Sequence, residues 1–178
     1  EILPDPHTST ITTQQEPFSP IKALDDIYEN RDSNHAVTVS VEKAQVQIGR
    51  DQLRFEIRSA RAGYVYLLMV GSNHSDFFLL FPNAVDNNNY IAVNGQLNLP
   101  RTEWRLIADG PPGTNHFIVV ISDHPRDFSQ AGLKTIDPFA EFPFTQSTLL
   151  YQSYSGSTPL FAGKVICPVS IANDCDES

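Results

Sequence analysis

The residues best placed to do chemistry lie near the end of one apolar run: His116, Ser122, Asp123, His124 and Asp127. Imidazoles and carboxylates in one neighbourhood can serve as an acid–base pair or as ligands to a metal ion. This set defines one reading, a small metal-dependent hydrolase using His116, Asp123, His124 and Asp127. The plainer reading is that Asp123, His124 and Asp127 cap a turn and a short helix. No nucleophile elbow, zinc-protease helix or phosphate-binding loop occurs, and catalytic residues and cofactors are both expected to be none. A second group consists of loop residues suited to recognition. His74 and Asp76 stand in a polar segment between two apolar runs, a common place for binding groups. Asp109 to His116, DGPPGTNH, sets two prolines between glycines, a stiff turn able to present Asp109, Pro111, Pro112, Asn115 and His116 to a partner. Asp86-Asn87-Asn88-Asn89 places oxygen ligands in a row, but lacks the glycine and distal acid of a calcium loop and reads as an Asn-rich turn.

These groups need a scaffold, and its centre is Ala60 to Asn83. Tyr64 to Val70 is continuously apolar; Gly71 to Asp76 is polar; Phe77 to Phe81 is apolar again. The pattern predicts a hairpin of two strands covered on both faces. Val37, Val39 and Val41 alternate with polar residues, as do Leu53, Phe55 and Ile57, which predicts half-buried strands. Tyr90 to Val93 and Leu97 to Leu99 flank the hairpin signal Asn94-Gly95. Trp104 to Ile107 is a further candidate, and Phe117 to Ile121 reads as a buried strand. Ser19-Pro20 opens a helix whose Ile21, Leu24 and Tyr28 share a face. Helical turns are expected at Pro125–Ser129, from Asp137, and over Gln146–Tyr154. The fold class expected is all-β, an immunoglobulin-like antiparallel sandwich with a few short peripheral helices.

Charge narrows the partners. The 178 residues carry 12 basic and 21 acidic side chains, a net of −9. Nucleic acid binding draws on clustered Lys and Arg, which are missing here, and an anionic bilayer is disfavoured for the same reason. No apolar run reaches the roughly 20 residues of a membrane span, so membrane association is expected only through an upstream anchor outside this sequence. Residues 1–18 read as a flexible linker rich in proline and threonine. Residues 19–178 read as one domain. Cys167 and Cys175 either close a disulfide, which points to the periplasm or cell exterior, or stand as two unpaired cytosolic thiols.

Several segments together resemble a bacterial family of domains of unknown function. They are Gly63-Tyr64-Val65-Tyr66, Leu80-Phe81-Pro82-Asn83 and Gly110-Pro111-Pro112-Gly113-Thr114-Asn115-His116-Phe117, with the helix Ile21–Arg31 and His35-Ala36-Val37 before them. That family is typically C-terminal in larger proteins, notably membrane-anchored serine/threonine protein kinases, and also occurs beside caspase-like peptidases. The resemblance implies a non-catalytic extracytoplasmic sensor or binding domain, with kinase activity in another part of an inner-membrane protein and, in some such systems, a tie to control of type VI secretion. The partner implied is a protein or cell-envelope component. The resemblance also implies a final strand after Cys175 that this sequence lacks, and its loss would leave a sheet edge exposed to unwanted pairing. A third reading is a structural subunit that adds a strand to a secretion assembly by edge pairing.

Overall fold

A computed structural model describes residues 17–168. Eleven strands are named within it: β1 (Val37–Val41), β2 (Phe55–Ser59), β3 (Gly63–Val70), β4 (Phe77–Phe81), β5 (Tyr90–Ile91), β6 (Gly95–Leu99), β7 (His116–Ser122), β8 (Arg126–Asp127), β9 (Lys134–Thr135), β10 (Ala140–Glu141) and β11 (Lys164–Val165). Two helices, α1 (Pro20–Glu29) and α2 (Phe144–Ser153), flank them. Every named pairing is antiparallel. The fold is an all-β sandwich with short peripheral helices.

The small sheet has the order β1-β2-β6. The large sheet runs β9-β10-β4-β3, with β7 on the other side of β3 and β5 continuing beside its first residues. β3 is the hub, and its period of two explains why. Val65 and Leu67 enter the core between the two sheets, with Phe55, Ile57, Leu97, Leu99 and Trp104. Tyr66, Leu68 and Val70 enter a second core under the helical layer, with Leu24, Ile27, Phe142 and Phe161. A strand buried on both faces has no reason to alternate in polarity, as its sequence foretells. A bulge between Leu67 and Leu68 shifts the register, so Leu80 and Phe81 of β4 both join the inter-sheet core.

Gly63 begins β3 because the chain crowds it. A Cβ there would lie 2.8 Å from the Ser122 carbonyl oxygen and 2.9 Å from Ile121 Cγ2. α1 begins where Ser19-Pro20 predicts, with Pro20 in its first turn and Ala23, Leu24 and Ile27 buried. Ser19 occupies the N-cap, but its side chain makes no capping hydrogen bond. Phe18, assigned to the linker by composition, is buried against Phe144, Tyr151 and Phe161.

Other expectations need correcting. The helix expected from Asp137 is replaced by β10, whose Ala140 and Glu141 pair with Leu79 and Phe78; the pairing edge of β4 outcompetes local propensity. Trp104–Ile107 forms no strand, only an isolated bridge between Gln52 and Ile107. β1 is not half-buried: Val37, Val39 and Val41 are 36%, 45% and 42% exposed. Val39 and Val41 face the same way as Ile57 and Phe55, their partners in register, but among the described residues the large sheet ends at β7 and does not cover them. β7 itself is half-exposed from His116 to Ile121. The expected bond between Cys167 and Cys175 lies outside the described residues, because Cys175 does, as does any strand after it.

Candidate functional site

β3 and β7 run antiparallel with Val70 opposite His116. The loop leaving β3 and the loop entering β7 therefore emerge at the same end of the large sheet. The Gly71–Asp76 loop is held from within. Asn73 Oδ1 accepts the N–H groups of Ser75 and Asp76, both at 3.0 Å, and the Gly71 N–H donates to the Asp76 carbonyl at 2.8 Å. His74 sits at φ +59°, the left-handed region, at the tip.

The second loop is latched onto the first. The Ser72 N–H donates to Asn115 Oδ1 at 2.9 Å, and the Ser72 hydroxyl donates to the Pro111 carbonyl at 2.7 Å. Gly113, at φ +148°, passes so close that a Cβ would lie 2.7 Å from Ser72 Cβ. His74 and His116 meet edge to face with ring centroids 6.2 Å apart. Asp109 turns back to accept the Gly110 N–H at 2.8 Å. The seven residues singled out for recognition, His74, Asp76, Asp109, Pro111, Pro112, Asn115 and His116, thus belong to two loops that form one surface. His74, Asp76, Asp109, Pro111 and Pro112 are exposed on it; Asn115 and His116 are half-buried beneath.

The hydrolase residues do not gather in this way. His116 opens β7 and Asp123 follows its last residue, a separation of about 20 Å along a strand of this length. Asp123 accepts two hydrogen bonds from Arg61, at 3.0 and 3.1 Å. Asp127 accepts the N–H and hydroxyl of Ser129 at 2.9 and 2.7 Å, which holds its carboxyl below the usual range. Among the described residues no group of three or more His, Cys, Asp or Glu side chains could hold a metal ion. Asp86 is likewise committed. Its buried carboxylate takes Arg101 at 2.8 and 2.9 Å and the Trp104 indole N–H at 2.8 Å. The Asn-rich turn is a structural anchor.

One feature escapes a reading of local sequence. A groove of about 830 Å³ runs along the outer side of β7. Val37, Val39 and Phe55 line its sandwich side, and Ile27, Pro159 and Ala162 its helical side. At one end Arg61 joins Asp32 and Asp123, each at 3.0 Å. His35 Nε2 lies 2.9 Å from Ser59 Oγ beside them. Partial burial, and secondarily the Arg61 charge, lower the His35 pKa, while Asp123 and Asp32 oppose the shift. Asp32 and Asp123 stand far apart in sequence from Arg61, so no local motif announces the cluster. The mismatch between apolar alternation in β1 and its exposure would have been the signal.

Residues 45–125 match the family described as a domain of unknown function, DUF4384. The DUF4384 stretch takes in β2 to β7, the core between the sheets and both loops of the end surface. α1, β1 and everything from β8 onward lie outside it. No curated protein and no solved structure matches the chain.

Proposed function

We propose that the protein is a non-catalytic recognition domain whose contact surface is the paired loops Gly71–Asp76 and Asp109–His116. The observation that carries this reading is the latch from Ser72 to Asn115 and Pro111. It makes one preordered surface from two loops. A surface ordered before contact loses less conformational entropy on binding than two independent loops do. The groups suited to chemistry are meanwhile engaged elsewhere, Asp123 with Arg61 and Asp127 with Ser129.

The partner in this reading is a protein or cell-envelope component outside the cytoplasm, and the domain serves as the sensor of a membrane-anchored serine/threonine kinase. Contact would bias the parent protein toward one of its states through a difference in affinity between them. A Cys167–Cys175 disulfide belongs with this location; thiol counting with and without reductant checks it. No helix among the described residues is long and apolar enough to cross a membrane. In this reading the anchor and kinase belong to another part of the parent protein, and sequencing its reading frame checks that. The direct test places a photo-crosslinking residue at His74 or Pro112 in the parent protein in cells. One envelope protein should crosslink from both positions and not from Leu149, which is 63% exposed on α2. Equal labelling from all three positions sinks the assignment.

A further inference from the structure

The end surface brings two imidazoles together, one from each loop. The rings of His74 and His116 have centroids 6.2 Å apart and planes inclined at 69°. Both backbones are fixed from below. The His74 N–H donates to the Gly71 carbonyl at 2.9 Å, and the latch from Ser72 to Asn115 holds the residue next to His116. His74 keeps φ +59°, a backbone region that costs a non-glycine residue energy and persists only where the surroundings demand it. Among the described residues neither ring makes a hydrogen bond or an ion pair. His35, by contrast, engages Ser59 through Nε2. Each imidazole has two nitrogens, and in this pair they are uncommitted among the described residues.

We propose that His74 and His116 form a two-imidazole site for a transition-metal ion such as Zn²⁺ or Cu²⁺. Neutral imidazole is the commonest side-chain ligand of such ions. Two metal–nitrogen bonds of about 2.0–2.1 Å, added to the depth of two rings, are of the size of the observed separation. The rings meet edge to face, so one must rotate to aim its nitrogen at the ion. His74 is exposed and can turn about χ2, a torsion with a broad minimum. His116 is half-buried and serves as the fixed ligand. No group of three or more His, Cys, Asp or Glu side chains gathers for a metal among the described residues, so the ion keeps open positions. Water fills them in the free protein. On contact a carboxylate or imidazole of the partner fills one, and that step alone rests on the recognition reading.

Imidazole NMR of the full chain, residues 1–178, tests this with the metal alone. One equivalent of Zn²⁺ should shift the ring signals of His74 and His116 and leave those of His7, His35 and His124 in place. Cu²⁺ should bind more tightly than Zn²⁺, and Mg²⁺, which takes oxygen ligands, should not bind. His74→Asn keeps a residue that tolerates the left-handed region. It should weaken Zn²⁺ binding about tenfold or more, since even indirect losses at such sites cost that much. His116→Gln should do the same. The denaturant midpoint of each metal-free variant checks its fold, and the ring shifts of the parent chain decide the matter where a variant unfolds. Zn²⁺ that shifts neither ring, or that moves His7, His35 or His124 equally, overturns the proposal. So does a folded His74→Asn variant that binds undiminished. Crosslinking from the paired loops needs no metal to be seen, so the two readings can fail separately.

Discussion

Two arginines each hold carboxylate oxygens, and their surroundings separate them. Arg101 grips Asp86 under Trp104, where the carboxylate side chain is 6% exposed. Arg61 bridges Asp32 and Asp123 at the rim of the groove, where the side chains are 35% to 54% exposed. The first pair lies within the DUF4384 stretch and closes the inter-sheet core. Asp32, at least, lies outside that stretch. Burial removes water as a substitute partner, so losing one member leaves a charge with nothing to replace it. At the rim, water and salt compete with every contact. One cluster should matter for folding; the other should matter for what the groove does.

The largest effect is therefore expected from Asp86→Ala. It strips Arg101 and the Trp104 indole of their shared acceptor, and a loss of about 3 kcal/mol or more should follow in denaturant unfolding. Indole fluorescence reports the same event, because Trp104 is the single tryptophan. A variant as stable as the parent would erase the distinction between the clusters.

A middle effect is expected at the paired loops. Asn115→Ala removes the acceptor of the Ser72 N–H, and about 1 kcal/mol should be lost. The crosslinking from His74 and Pro112 should fall more than the stability does, because the two loops would no longer share one frame. Proportionate losses would mean that the latch serves folding alone.

Much of this was legible beforehand, for physical reasons that can be named. Tyr64–Val70 lies between two cores, and continuous apolarity is the direct signature of that position. Ile21, Leu24 and Tyr28 marked α1, although Tyr28 ends 57% exposed and Ala23 and Ile27 carry the burial instead. His74 and His116 could be named but not paired, since their meeting depends on the register of β3 with β7. Asp86 looked like a loop oxygen because nothing local reveals Arg101 and Trp104 turning back onto it. The valines of β1 promised burial that the described residues do not supply. That unmet promise is itself informative, since two of them, Val37 and Val39, line the groove beside β7.

At the rim the smallest effect is expected, and it concerns titration rather than folding. Arg61→Gln should leave the denaturant midpoint nearly unchanged, as exposed ion pairs contribute little. It should still move His35. The pKa of His35 is lowered first by desolvation and next by the Arg61 charge, against the pull of Asp123 and Asp32. With the guanidinium gone, no positive charge offsets the two carboxylates and the imidazole pKa rises, although burial still holds it down. A base whose folded pKa lies below its unfolded value binds fewer protons when folded. Its contribution to stability is then complete above about 6.5 and declines as pH falls from there toward the folded value. Arg61→Gln should flatten that decline, and an NMR titration of the His35 ring should show the upward shift directly. If the ring titrates unchanged, Arg61 is not electrically coupled to the groove it borders.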